Sequence, residues 1–185
     1  MAISLKKGGS INLTKKAPTL KKIMIGLGWE LKPNASLDLD ASVFMIGENG
    51  KLPSDEYFVF YNNLKSPDGS VQHTGDNRTG AGEGDDEMIL ANLDLINPQV
   101  KEILITVSVH DNHVGASFGD LQDAYVRIVD VENNTEILRY DLDAEYSDAT
   151  DVEFGRLIRG VDGWTFKASG FGDRKGLQGL VDIYA

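Results

Sequence analysis

The sequence predicts an all-β protein, a sandwich or a barrel, and three observations carry that expectation. Short apolar stretches with a period of two recur along the chain. Clusters of Gly, Asn, Asp and Pro separate them as hairpin turns would. Helical spacing is scarce. About nine short strands with so little helix suit a sandwich or a barrel.

Each element has its own sequence reason. In residues 103–110, Ile103, Ile105, Val107 and Val109 fall on one face, and Thr106, Ser108 and His110 on the other. Residues 22–29 read as a strand whose Gly26 and Gly28 mark places where backbone or a partner passes close. Residues 39–46, 57–61, 88–90, 124–129, 136–142, 154–159 and 164–168 read as further strands. Turn signals lie at Glu48-Asn49-Gly50, Pro67-Asp68-Gly69, Glu132-Asn133-Asn134 and Val161-Asp162-Gly163. Leu177, Leu180, Val181 and Tyr184 are at helical spacing, which predicts a short helix over Gly176–Tyr184. One helical turn is expected after Asn97-Pro98. No repeat, linker or low-complexity segment interrupts the 185 residues, so one domain over 1–185 is expected.

Composition removes several function classes. With no cysteine there is no disulfide framework, thiolate nucleophile, iron–sulfur cluster or cysteine zinc site. No apolar run approaches the ~20 residues of a membrane span. The first residues lack the apolar block of a signal peptide, so a cytoplasmic protein is expected, with its four N-x-Ser/Thr sequons unused. The formal charge of −11 argues against nucleic acid as a partner. That charge is unevenly distributed. The first 32 residues hold Lys6, Lys7, Lys15, Lys16, Lys21, Lys22 and Lys32 against Glu30 alone, a local +6. The other 153 residues hold 11 basic and 28 acidic side chains, or −17. Lysines on strand edges block edge-to-edge pairing. The same strip could dock an acidic partner or a membrane surface.

One loop concentrates the chemistry. Residues 75–87 read Gly-Asp-Asn-Arg-Thr-Gly-Ala-Gly-Glu-Gly-Asp-Asp-Glu, with the carboxylates Asp76, Glu83, Asp85, Asp86 and Glu87 and four glycines. Five like charges in thirteen residues should splay a loop into solvent. A hard divalent cation resolves the conflict, since calcium takes 6–8 oxygens from carboxylates and carbonyls. The spacing is not that of an EF-hand. Asp76 and Glu87 span twelve positions, but Arg78, Gly80 and Ala81 stand at the third, fifth and sixth. An exposed acidic hairpin loop is the plain alternative. Asp38 and Asp40 form a second pair on one side of a strand mouth, and Asp111 follows the strand ending at His110. Together they would make an oxygen-rich bowl suited to Ca²⁺ or Mg²⁺.

Catalytic patterns are weak. His110-Asp111 suggests a metal-dependent phosphohydrolase, but such a pair belongs on a helical scaffold with further ligands. No Gly-x-Ser-x-Gly elbow is present. Gly75 and Gly80 have a phosphate-loop interval, but Ala81 stands where the lysine belongs.

The chain resembles the TerD family of tellurium-resistance and general stress proteins. The stretches that carry the resemblance are 37–42, 54–63, 66–71 and 73–87, with His110-Asp111, the opening from Ile3 to Gly9, and Phe154-Gly155 with Trp164. The resemblance covers essentially the whole chain. It departs at His110-Asp111-Asn112-His113, where a small residue often follows the aspartate. It implies a β-sandwich of two mainly antiparallel sheets, with few short helices, binding two Ca²⁺ in loops at one end. Carried over by position, the ligands would be Asp38, Asp40, Asp76, Asn77, Asp85, Asp86, Glu87 and Asp111, with carbonyls near Gly80 and Gly82. Glu83 and Asp68 are weaker candidates. The implied role is a non-enzymatic, cytoplasmic stress-response protein working with other stress and tellurium-resistance proteins. The alternatives are an assembly protein docking through its N-terminal lysines, at partner proteins or peripherally at the inner membrane, and a metal-dependent phosphohydrolase.

Overall fold

The computed structural model describes residues 2–74, 84–110, 115–142 and 146–185. Strands are numbered in chain order. One six-stranded sheet runs from edge to edge as β1 (Ile3–Leu5), β10 (Thr135–Asp141), β9 (Leu121–Asp130), β3 (Lys22–Leu31), β7 (Glu87–Asn92) and β6 (Val71–His73). The other runs as β2 (Ser10–Asn12), β12 (Gly163–Asp173), β11 (Asp151–Gly160), β8 (Val100–Val109), β4 (Leu39–Gly47) and β5 (Phe58–Val59). Every pairing is antiparallel except that of β1 with β10. This is the predicted sandwich of two mainly antiparallel sheets.

Alternation fills the space between the sheets. Ile23, Ile25 and Leu27 of β3, Ile89 of β7, and Val126 and Ile128 of β9 are fully buried. They meet Ala41, Val43 and Met45 of β4, Ile103, Ile105 and Val107 of β8, and Phe154 and Phe166 of β11 and β12 in one cluster. Each fully buried large apolar side chain stabilises the fold by about 1.5–3 kcal/mol. The outer face of the second sheet is covered too. The helix α2 (Gly176–Tyr184) lays Leu180 against Phe44, Ile46, Phe58 and Leu104. The polar face of β8 is therefore also buried, and Thr106 pairs with the Ser42 hydroxyl at 2.6 Å.

The N-terminal segment joins the edges of the two sheets. β1 adds to β10 in one sheet and β2 adds to β12 in the other, and the short helix α1 (Leu13–Lys16) follows. The seven lysines of this segment are all exposed. The turn at Asn97-Pro98 is a single hydrogen-bonded turn, closed by the Val100 N–H on the Asn97 carbonyl. The 3₁₀ turn falls earlier, at Leu93–Leu95, where the Asn92 side chain caps it. Among the described residues no helix is long and apolar enough to cross a membrane.

Candidate metal centre

The antiparallel order brings Asp38, Asp40, Asp86 and Glu87, of the predicted acids among the described residues, to one end of the sandwich. β3 ends there, β4 and β7 begin there, and β8 ends there. The His110 N–H donates to the Asp38 carbonyl at 2.9 Å, joining the mouths of β4 and β8. The His110 Nδ1 lies 2.6 Å from the Asp40 carboxylate. Asp38 is exposed and Asp40 is half-buried.

Glu87 reaches between the two sheets. It opens β7, and its inward side chain accepts the Ala41 N–H of β4 at 2.6 Å. That N–H is available because β5 pairs with β4 only at Val43 and Phe44. The His73 Nε2, from neighbouring β6, is 3.2 Å from the same Glu87 oxygen, and both side chains are only 2% exposed. Burial pushes the Glu87 carboxyl above its ordinary range. His73 and the Ala41 N–H pull it back, and the Asp40 charge raises it further.

The neighbouring acids point elsewhere. Asp86 accepts the Trp29 N–H at 2.8 Å, and its own N–H donates to the Leu27 carbonyl. Burial raises its carboxyl, which the Trp29 N–H partly offsets and the Asp85 charge reinforces. Asp85 lies on the outer face of the first sheet. Arg127 grips it with Nε–Oδ1 at 2.8 Å and Nη2–Oδ2 at 2.7 Å, and the Tyr125 hydroxyl donates to it at 2.9 Å. Hydrogen bonding to Asp85 in turn raises Arg127, and burial raises the Tyr125 phenol.

Gly26 and Gly28 explain that arrangement. They pair directly across from Arg127 and Tyr125. A Cβ on Gly28 would come within 2.4 Å of the Tyr125 ring, and one on Gly26 within 2.5 Å of the Asp85 carboxyl. The glycines thus mark close approaches, as the strand pattern predicted.

Of the candidate ligands, the structure places Asp38, Asp40 and Glu87 at the same end of the sandwich without gathering their carboxylates round one point, with Asp86 next to Glu87 in the chain and Asp85 turned to the outer face of the first sheet. Asp76, Asn77, Gly80, Gly82 and Asp111, with Glu83, lie outside the described residues. Asp68 is remote from the cluster in its bonding. It caps its own turn through Ser66 and Ser70 and accepts the Asn97 N–H at 2.8 Å. Among the described residues, no three His, Asp or Glu side chains are grouped to hold an ion. The donor chemistry nevertheless fits a hard cation. The side-chain donors are carboxylate oxygens, one is buried, and the Asp40 charge raises Glu87. Sequence reasoning missed three residues that shape this end: His73, Tyr125 and Arg127.

The comparison with known proteins decides the lineage. The model of the TerD domain family matches residues 1–184. The chain belongs to the TerD family. Among its TerD relatives is the tellurium resistance protein TerD of Alcaligenes sp., 45% identical over 187 residues and aligned over 100% of this chain and 97% of that protein. General stress protein 16U of Bacillus subtilis (strain 168) is 42% identical over 188 residues, covering 100% of this chain and 97% of that one. A crystal structure of a TerD homologue from Streptomyces coelicolor A3(2) superposes with a TM-score of 0.70 at 21% identity, over 88% of this chain and 95% of that chain. That likeness shows the fold. The TerD family is one of tellurium-resistance and general stress proteins, and none of these names carries an enzymatic activity.

Proposed function

We propose that this TerD-family chain is a calcium-binding, non-enzymatic stress-response protein of the tellurium-resistance type. In this reading Ca²⁺, with two ions expected, neutralises and orders the acidic segment 75–87. The end of the sandwich then becomes a surface for other stress and tellurium-resistance proteins in the cytoplasm. The observation that carries the reading is Glu87: a carboxylate buried between the sheets beside His73, at the mouth where Asp38 and the His110-paired Asp40 also lie. Like charges at such a place favour a cation among them. Asp38, Asp40, Asp86 and Glu87 would hold it, with Asp76, Asn77, Asp111 and carbonyls near Gly80 and Gly82. Bound calcium would supply charge neutralisation and a fixed loop geometry.

Calorimetric titration of the full chain with CaCl₂ and with MgCl₂ tests this, together with melts in calcium and in excess chelator. An ion that binds only the folded form stabilises it by about 2.7 kcal/mol at a hundredfold excess over Kd. Absence of binding heat and coincident melts would exclude the reading.

The exposed N-terminal lysines support a second reading, an assembly role. Lys6 and Lys7 sit in the link between the two sheet-edge strands β1 and β2. Replacing Lys6, Lys7, Lys15 and Lys16 by Glu should then abolish sedimentation with partner proteins or anionic liposomes. Unchanged sedimentation removes that strip from consideration.

A further inference from the structure

Three consecutive acids, Asp85, Asp86 and Glu87, leave the acidic segment in three directions. Glu87 points between the sheets, Asp86 turns to the Trp29 N–H, and Asp85 folds back over the outer face of the first sheet. The side chain of Asp85 is only 2% exposed, yet it carries a charge. A carboxylate that far from water needs a charged or multiply hydrogen-bonded partner. Arg127 supplies both ends of a fork, which is the strong geometry for a carboxylate, and Tyr125 supplies a further donor.

The partners are themselves fixed. The Arg127 Nη1 also donates to Glu136 at 3.1 Å. The Tyr125 ring lies under the Arg139 guanidinium, 3.9 Å from its centroid, and Arg139 bonds to Asp141. The cradle beneath is backbone, because Gly26 leaves room that a Cβ would fill. A side chain held by so many groups is spent on the sheet.

We infer that Arg127 is a positioning residue for the acidic segment, and that Asp85 is its anchor rather than an ion ligand. The clamp ties the chain to β9 two residues before β7 begins, next to the bond from the Asp86 N–H to the Leu27 carbonyl. That fixes where Asp86 and Glu87 depart. It also removes one negative charge from the group that would surround a cation. The effect on calcium rests on the function proposed above, but the clamp itself does not.

The test uses the full chain, with CaCl₂ as the probe and two readouts: calcium affinity by calorimetry, and hydrogen exchange of the Asp86 amide in excess chelator. Loss of groups that orient metal ligands typically costs about 10–100-fold in affinity. Arg127→Gln and Asp85→Asn are each expected to weaken calcium by that much with unchanged stoichiometry. Each should also speed exchange at Asp86 about tenfold or more, with little change at Ile89. The double variant should be no worse than either single one, because both break the same contact. Arg127→Lys, which keeps the charge without the fork, should fall between wild type and Arg127→Gln. An Asp85→Asn protein that loses one bound ion while Arg127→Gln binds normally would make Asp85 a ligand and overturn the inference. If the wild type binds no calcium, the function proposed above fails and the exchange data decide alone. Unchanged exchange at Asp86 in Arg127→Gln and Asp85→Asn would then overturn the clamp.

Discussion

The Glu87 carboxylate of one sheet accepts the Ala41 N–H of the other at 2.6 Å, so a charged group spans the interior of the sandwich. Two roles meet there, a bridge between sheets and a candidate ion ligand, and substitution separates them. Glu87→Gln keeps an oxygen for the Ala41 N–H and removes a charge that burial disfavours. It should fold with equal or greater stability in chelator, yet lose calcium at least tenfold. Glu87→Ala leaves a buried N–H without its acceptor and should cost about 1–3 kcal/mol in chelator as well. Denaturant melts with and without calcium measure both. A Glu87→Gln protein that binds calcium like the wild type would leave Glu87 only the bridging role.

The outer layer gives a control for that experiment. Leu180 of α2 is buried against Phe44 and Leu104, on the opposite side of the second sheet from the main core. Leu180→Ala should cost about 2–5 kcal/mol, the usual range for a buried leucine. Calcium affinity of the folded protein should not change, because no candidate ligand packs in that cluster. A parallel loss of calcium affinity in Leu180→Ala would show that the second sheet transmits packing defects to the mouth where Asp40 lies.

How far the sequence revealed all this depends on the reach of each contact. Where a pattern is local it was readable. The alternation of Ile103, Ile105 and Val107, and the helical spacing of Leu177, Leu180, Val181 and Tyr184, each gave an element in place. β1, β2 and β6 were missed because three residues hold too few alternations to stand out from a loop, and their order comes from the neighbouring strands. The candidate ligands Asp38, Asp40 and Glu87 lie at one end of the sandwich because β4, β7 and β8 share that end, which topology decides. The Asp85–Arg127 contact spans 42 positions, and no local spacing encodes it. One signal did bear on it: Gly26 and Gly28 lie two apart in an apolar strand, marking one crowded face. Strand alternation would instead have put Asp85 on the side of Glu87, and it does not apply because β7 begins only at Glu87.

Asp68 offers a test of turn chemistry away from the metal. Burial raises its carboxyl, but donors from Ser66, Ser70 and Asn97 outweigh burial and hold it below its ordinary range. A carboxyl depressed in the folded state contributes stability above its unfolded value and loses it as pH falls through the folded one. Asp68→Ala should therefore destabilise the protein by about 1–3 kcal/mol at pH 7. The penalty should shrink towards pH 3. Melts across that range check it, and a penalty independent of pH would mean that the carboxylate charge contributes nothing.

Asp151 predicts the opposite slope. Its side chain accepts the Gly176 N–H at 2.7 Å where α2 begins, a position at which a helix favours negative charge. Burial acts against that charge and dominates, and Asp173 adds to it, so the carboxyl sits above its ordinary value despite the Gly176 N–H. A carboxyl raised in the folded state contributes its stability below the unfolded value and loses it as pH rises through the folded one. Asp151→Asn retains an oxygen for Gly176 and cannot ionise. Measured against wild type, its melting temperature should improve between pH 4 and pH 7, and at pH 7 it should be neutral or stabilising. A variant that falls further behind wild type as pH rises would show that the helix terminus, and not burial, governs this carboxylate.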